Sequence, residues 1–292
     1  MTHYEETKKQ LKFGIILNGA FTLIELIGGL LSNSLALISD AMHDFADTAA
    51  LALSYFANYK AQQYPTKEKT FGYHRASILA AFINASFLVA ITIIIFYRAY
   101  LRILKPEPVH GLTIFLIAVF GALINGAIAL RMWKSKDKDI NLKSIFWHIS
   151  EDALGWVGVI IAGLVIMYTG WYVIDPIISI LIGLIVLYGA WEIIKETTNI
   201  LLEGTPEHID IDKVVKKIKS IPNINDVHDT HIWTLGSDYY ALSTHVSIPN
   251  MKINESYNVL CKINKILKKE FNITHTTIEF ECYNCSKDLK CN

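Results

Sequence analysis

One spacing of metal-ligating residue types occurs twice in apolar parts of the sequence. His43 precedes Asp47 and His148 precedes Asp152, so each pair is separated by one helical turn. Residues at i and i+4 share one face of an α-helix, and each pair therefore presents an imidazole beside a carboxylate. If the two helices pack together, two nitrogens and two oxygens form a four-coordinate shell that suits Zn²⁺ and admits related divalent ions.

The alternative is that each pair forms a structural hydrogen bond inside a helical bundle. A carboxylate at the centre of a bilayer costs roughly 2.5–3.5 kcal/mol on insertion scales, so such residues normally face inward and serve a function. The duplicated spacing favours one shared metal site over two unrelated hydrogen bonds. Asp40, Asp44 and Glu151 lie on other faces of the same helices, where they suit ligand orientation, proton transfer or the entrance to the site.

The composition of the 292-residue chain is that of a membrane protein. Hydrophobic residues make up 52% of it and charged residues only 18%, which is more apolar than a soluble domain of this size. A membrane-spanning helix needs about 20 mostly apolar residues. The stretches that reach this length are 11–32, 35–58, 76–98, 111–133, 144–168 and 173–194. We therefore predict six transmembrane helices in a lipid bilayer, with both chain ends on one side.

The distribution of Lys and Arg predicts which side faces the cytoplasm. The N-terminus and the second and fourth loops are basic, whereas the opposite side has only Arg98, Arg102 and Lys105. Both termini are therefore expected in the cytoplasm. The first apolar stretch is too long for a signal-peptide core and no cleavage pattern follows it, so it is expected to be a spanning helix of a multi-pass protein. The absence of a targeting segment favours the plasma membrane as its location. The zero formal net charge and the lack of a basic patch argue against nucleic acid as a partner.

The polar part that follows residue 204 predicts a separate cytoplasmic domain. The pattern predicts, in order, a helix over Ile209–Ile221, strands over Val227–Leu235 and Tyr239–Ile248, a helix over Glu255–Glu270 and a strand over Thr276–Glu281. The order αββαβ indicates an α+β domain of the ferredoxin or metallochaperone type, with two helices on one face of a three-stranded sheet. Residues 1–204 are thus assigned to the membrane domain and residues 205–292 to the cytoplasmic domain.

Several segments together resemble the cation diffusion facilitator family, in particular its zinc-transporting branch. Residues 34–43, Ser-Leu-Ala-Leu-Ile-Ser-Asp-Ala-Met-His, followed by Asp47, are similar to the family's second-helix signature. Further similar segments are Phe71–Arg75, His148–Asp152 with Gly158–Val159, Asp175–Pro176, Gly204–Pro206, Val227–Asp229 and His231–Trp233. The resemblance covers nearly the whole chain, and its motifs are specific in combination.

The resemblance implies a homodimer that exports a divalent cation from the cytoplasm in exchange for protons by alternating access. The transport site in each protomer would consist of His43, Asp47, His148 and Asp152. Zinc is the expected ion, with cadmium or cobalt as further candidates, because a His in both motifs is typical of the zinc-preferring branch. Imidazole ligands also favour Zn²⁺ over the harder Mn²⁺. Neither enzymatic activity nor a cofactor is expected. Zn²⁺ or a similar divalent cation would serve as both the transported and the regulatory ion.

A regulatory metal site in the cytoplasmic domain is also implied by the resemblance. His228 and His245 match its ligand positions on adjacent strands, and Glu279 and Glu281 stand where some members have a His and a carboxylate. Cys282 and Cys285 form a C-x-x-C pair after the last strand. Disulfides are rare in the cytoplasm, so this pair is either a thiolate metal site or an idle tail, and the spacing leaves both open.

Functions of two other classes could use the same residues. A membrane-embedded metalloenzyme would need an open coordination position, a general base and a substrate cleft. The sequence has no H-E-x-x-H motif and no additional His cluster, which argues against it. A metal sensor would use the membrane part only as an anchor, and six spans with buried ligands exceed that need.

Overall fold

The computed structural model of the chain describes residues 3–61, 65–133, 140–236 and 239–282. Within these ranges, side chains are described except at 3–15, 17, 51, 54–55, 57–61, 128, 131–132 and 140–151. The chain forms two compact units, Met1–Tyr55 with Ile83–Ile193 and Phe56–Phe82 with Ile194–Asn292.

Long helices account for most of the described residues up to Leu201. They are α1 (His3–Ser32), α2 (Leu35–Ala61), α3 (Ala76–Leu104), α4 (Gly111–Met132), α5 (Ile140–Thr169) and α6 (Ile174–Leu201). Among the described residues, α3, α6 and the Asp152–Thr169 part of α5 are long and apolar enough to cross a membrane. Asn18–Ser32 and Gly111–Ala127 are shorter apolar helices. Three spans are therefore clear, while a total of six remains a prediction.

In the membrane helices, large apolar side chains lie on the outside and several polar side chains lie inside, the reverse of a soluble protein. Many large apolar side chains on the outside of α3 and α6 are exposed, including Ile93 at 59% and Ile185 at 54%. Polar Ser34, Asp175 and Ser179 are instead fully buried. Such a bundle is stable when lipid covers its outer surface and the polar groups find partners inside.

Glycines allow α4 and α5 to pack closely. Gly121 lies against the indole of Trp156, which is 1% exposed, and a Cβ at position 121 would stand 2.4 Å from the Trp156 Cε2 atom. A Cβ at Gly163 would stand 2.9 Å from the backbone nitrogen of Phe115. Small residues of this kind let membrane helices approach until dispersion contacts hold them together. The packing fixes α5, which carries Asp152.

The elements that follow α6 confirm the predicted order αββαβ. They are α7 (Ile211–Lys219), β1 (Asp226–Gly236), β2 (Tyr239–Ser247), α8 (Ile253–Phe271) and β3 (Ile273–Glu281). Helix α8 begins before the predicted Glu255 because that residue closes a capping box, in which its carboxylate accepts from the Lys252 N–H at 3.3 Å. Asn272, with φ of 56°, ends α8 in the left-handed conformation and leads directly into β3.

The described strands form a sheet in the order β1-β2-β3. Strand β1 pairs antiparallel with β2, and β2 pairs parallel with β3 through the α8 crossover. One face of the sheet packs on α7 and α8, as Leu242 and Val246 share a buried core with Ile218 and Ile263. Since strand side chains alternate between faces, His228, His245, Glu279 and Glu281 fall on the face that these helices leave open.

The close α4–α5 contact predicts that Gly121→Ala destabilises the membrane domain. The new methyl group would overlap the Trp156 ring and cost about 1–3 kcal/mol. Gly126→Ala is a matched control on the same helix, because no described atom lies within 4 Å of a Cβ at that position. Thermal unfolding of the purified protein in detergent measures the difference. Equal midpoints for the two variants would contradict this account of the packing.

Candidate metal sites

Helices α2 and α5 bring three of the four predicted membrane ligands together. The Nε2 atom of His43 is 3.7 Å from Oδ2 of Asp47, one turn along α2. The same nitrogen is 4.0 Å from Oδ1 of Asp152 on α5. Side-chain exposures of 24%, 31% and 21% leave all three partly accessible. The cluster combines one imidazole with two carboxylates, a donor set that can bind a divalent cation.

The fourth predicted ligand, His148, is described only by its backbone. Helix α5 places it one turn before Asp152, which is the spacing that the sequence predicts. Its side chain, like that of Glu151, lies outside the described residues, so its participation in the site stays a prediction.

Hydrogen bonds from both neighbouring helices hold the ligand-bearing part of α2. The Asn18 amide on α1 donates to Thr48 Oγ1 at 2.8 Å and to the Asp44 carbonyl at 3.4 Å. The Asn84 amide on α3 donates to the Ala46 carbonyl at 3.0 Å. Interhelical bonds of this kind limit rotation and sliding of a membrane helix, and here they act on the turn that contains His43 and Asp47.

A second cluster lies on the open face of the cytoplasmic sheet. His228 on β1 is directly opposite His245 on β2, and their ring centroids are 5.6 Å apart. Glu281 on β3 approaches both, with Oε1 2.9 Å from His245 Nδ1 and Oε2 3.3 Å from His228 Nε2. One ligand atom from each of the three residues lies within 4.8 Å of the others, which is close enough for all to contact one ion.

The donor set of this cytoplasmic cluster fits a zinc-like ion. Two imidazoles and one carboxylate match the three protein ligands of open zinc sites. The Glu281 side chain is only 5% exposed. Within the described part of the chain, its buried Oε2 and the buried Nδ1 of His228 make no hydrogen bond of good geometry. A buried polar atom without a hydrogen bond costs about 1–3 kcal/mol, and an ion bound here would relieve part of that cost.

A β-bulge adds one carboxylate beside the cytoplasmic cluster. The register of β1 shifts between His228 and His231, and Asp229 within the bulge has a φ of 49°. Its carboxylate lies 3.0 Å from His231 Nε2 and 3.7 Å from His245 Nε2. Bulges re-aim side chains next to sites, and the sequence pattern alone did not assign Asp229 to this one.

Asp226 is a further carboxylate that the sequence prediction missed. Its Oδ2 lies 3.4 Å from His228 Nδ1. A hydrogen bond from the Lys219 ammonium, 2.7 Å away, lowers the pKa of Asp226 below its usual value, so the group stays ionised beside the histidine. The only signal in the sequence was its position two residues before His228.

The remaining predicted cytoplasmic ligands lie beside the three-residue cluster. Glu279 is 68% exposed, and its Oε2 is 3.6 Å from His245 Nε2. Cys282 is exposed, and Cys285 lies outside the described residues. The C-x-x-C metal site therefore stays a prediction.

This geometry predicts that Glu281→Gln removes metal from the cytoplasmic cluster. The amide cannot supply the anionic oxygen that lies between the two imidazoles, so the full-length protein should bind one Zn²⁺ fewer per protomer in equilibrium dialysis. Glu279→Gln makes the same chemical change on the same strand at an exposed position and should reduce affinity less. Equal zinc losses in the two variants would contradict the assignment of Glu281.

Comparison with known proteins covers both parts of the chain. Residues 11–202 match the cation efflux transmembrane domain, and residues 206–283 match ZT_dimer, the cytoplasmic domain of cation efflux proteins. The metal cation efflux system protein CzcD of Cupriavidus metallidurans is 40% identical over 286 residues, with 98% of this chain and 90% of the relative covered. The metal-bound C-terminal domain of the CzcD transporter, a solved structure, is 37% identical and covers 25% of this chain and 99% of its own, with a TM-score of 0.23.

Two further relatives have names that specify metals. The cadmium, cobalt and zinc/H(+)-K(+) antiporter of Bacillus subtilis is 37% identical over 277 residues, covering 94% of this chain and 89% of the relative. The zinc transporter ZitB of Escherichia coli is 38% identical over 286 residues, covering 96% and 90%. The two family matches and the relatives at 37–40% identity over nearly the whole chain show that the chain belongs to the cation diffusion facilitator family and is a metal cation efflux transporter rather than an enzyme.

Proposed function

We propose that this transporter exports Zn²⁺ from the cytoplasm across the plasma membrane in exchange for protons. His43 and Asp47 from α2 and His148 and Asp152 from α5 are the proposed ligands of the transported ion. The observation that carries the proposal is the approach of two carboxylates, one from each helix, to the same imidazole nitrogen within 4.0 Å.

The choice of zinc is supported by the ligand chemistry. Imidazole nitrogen is a borderline donor that suits Zn²⁺ better than Mn²⁺ or Mg²⁺, which prefer carboxylate and water oxygens. The names of the relatives include zinc, and one also includes cadmium and cobalt. Cadmium and cobalt are therefore the expected secondary substrates.

Proton exchange is supported by the protonation chemistry of the same ligands. A histidine and two carboxylates bind metal only when deprotonated, so loading releases protons and protonation favours release of the ion. The partial exposure of His43, Asp47 and Asp152 gives water, and thus protons, access to the site. One relative is named as an antiporter that uses H⁺ and K⁺.

The proposed topology has six spans with both termini in the cytoplasm. Among the basic residues on the opposite side, Arg102 is 14% exposed and lies 3.3 Å from Glu107 and 3.6 Å from Asp175. These carboxylates compensate its charge locally, so it counts little against the orientation that the other loops indicate.

The cytoplasmic domain is proposed to bind a regulatory ion and to dimerise. His228, His245 and Glu281 would hold that ion, and its positive charge would bring the three strands of the sheet into one coordinated unit. The ZT_dimer match over residues 206–283 supports a homodimer.

The membrane site predicts that His43→Ala and Asp152→Ala abolish transport. Each substitution removes a ligand from a different helix, so Zn²⁺ uptake into proteoliposomes and the accompanying proton flux should fall to the level of empty vesicles. A zinc-sensitive dye and a pH-sensitive dye measure both fluxes in the same preparation.

His110→Ala is a suitable control for these variants. His110 precedes α4 at an exposed position, and its side chain makes no capping hydrogen bond, so this variant should transport at the wild-type rate. Wild-type zinc flux in His43→Ala would rule out the site, whereas zinc flux without proton flux in the unmodified protein would rule out the exchange.

A further inference from the structure

We propose that Asp175 is a positioning residue for the transport site. From the first turn of α6 it holds the first turn of α2, and through α2 it sets the location of His43 and Asp47. The inference rests on the proposed function, because it concerns the geometry of the same site.

The Asp175 carboxylate supplies hydrogen-bond acceptors for the start of α2. Its Oδ2 accepts from the Leu35 N–H at 2.7 Å, and its Oδ1 accepts from the Ala36 N–H at 3.4 Å. Oδ1 also accepts from the Ser34 hydroxyl at 2.5 Å. The first N–H groups of a helix have no partner within that helix. Here the carboxylate of a helix about 140 residues further along the chain satisfies two of them.

Two buried serines add hydrogen bonds to the same first turn of α2. Ser34 Oγ also accepts from the Leu37 N–H at 3.2 Å, and the Ser179 hydroxyl on α6 donates to the Leu35 carbonyl at 3.3 Å. Ser34, Asp175 and Ser179 are all fully buried. Asp175 lies in the first turn of α6 as well, so its negative charge faces the positive ends of two helix dipoles.

Arg102 compensates the buried charge and ties a third helix to the same point. Its Nη1 is 3.6 Å from Asp175 Oδ2. It also donates to the backbone and side-chain oxygens of Asn33, in the turn between α1 and α2. A buried carboxylate is stable only with such partners, and these partners connect α3 and α6 to the beginning of α2.

Helix α2 transmits this constraint to the metal ligands. It runs without interruption from Leu35 to Ala61, so His43 lies about 12 Å and Asp47 about 18 Å along the axis from its first residue. Metal coordination tolerates changes of only about 0.2 Å in ligand distance. A first turn that can slide or rotate would therefore widen the distribution of His43 positions relative to Asp152, although Asp175 itself is too distant to contact the ion.

The test compares Asp175→Asn with Glu107→Gln in the full-length protein in proteoliposomes. Both replace a carboxylate near Arg102 with an amide, but Glu107 is 57% exposed and makes no described contact with the α2 backbone. We expect Asp175→Asn to raise the apparent KM for Zn²⁺ about tenfold, a change of about 1.4 kcal/mol, and to alter the ratio of Zn²⁺ to Cd²⁺ transport. Glu107→Gln should stay within about twofold of wild type.

A double variant separates the positioning role of Asp175 from the effect of leaving the buried Arg102 without its carboxylate partner. In Asp175→Asn/Arg102→Gln the buried arginine is also removed, and the positioning role predicts that the raised KM and altered metal ratio persist. Recovery of wild-type values in the double variant would overturn the inference. If Asp175→Asn does not fold, Ser34→Ala removes one contact of the same carboxylate and should shift KM and the metal ratio in the same direction, by less.

The outcomes also distinguish this inference from the proposed function. No zinc-driven flux in the wild-type protein would end both. A second combination is that the wild-type protein is active and His43→Ala is inactive, while Asp175→Asn has an unchanged KM and an unchanged metal ratio. That combination would support the transport site and overturn only the positioning role.

Discussion

The membrane domain depends on one constraint: the helices must hold His43, Asp47 and Asp152, the proposed metal ligands, close together inside a bundle whose outer surface faces lipid. The His43 imidazole has two carboxylates within 4.0 Å of its Nε2 atom, and such a group of polar side chains is poorly compatible with hydrocarbon. They are stable where water, protons or a cation reach them. The same requirement supports their proposed role in transport, because a site that is stabilised by a cation or by protons can exchange one for the other.

Contacts in the rest of the described membrane domain hold α2 and α5 in place, some beside the proposed ligands and others farther away. Around the ligands, the Asn18 and Asn84 amides fix the middle of α2 from both sides. Away from them, Asp175 fixes its beginning, and glycine contacts with α4 fix α5. In the cytoplasmic domain a sheet brings the polar side chains together. One face of the sheet packs on two helices, and the other presents His228, His245 and Glu281 across three adjacent strands.

The parts of this structure that local pattern determines could be predicted from the sequence. Apolar runs of sufficient length located the long helices, and alternation located the strands in the order αββαβ. The approach of α2 and α5 at His43 and Asp152 followed from a spacing that occurs twice. What pattern could not supply was long-range pairing. Asp175 looks locally like the start of a helix, and its partners in α2 lie far upstream.

Choices between neighbouring residues were also beyond the sequence pattern. Glu279 and Glu281 have equivalent positions on β3, but only the structure brings Glu281 between the two histidines and leaves Glu279 exposed. The bulge at Asp229 changes the register of β1, so the surroundings of His245 could not be obtained by counting residues along an ideal strand. The register of the sheet, rather than residue type, decides which side chains form the cluster.

The most direct test is X-ray absorption spectroscopy of zinc bound to the Glu281→Gln protein, in which the cytoplasmic cluster should no longer bind zinc. We predict a first shell of nitrogen and oxygen atoms at about 2.0–2.2 Å that is lost in Glu281→Gln/His43→Ala. A first shell that the His43→Ala substitution leaves unchanged would contradict the assignment of His43 to the zinc site.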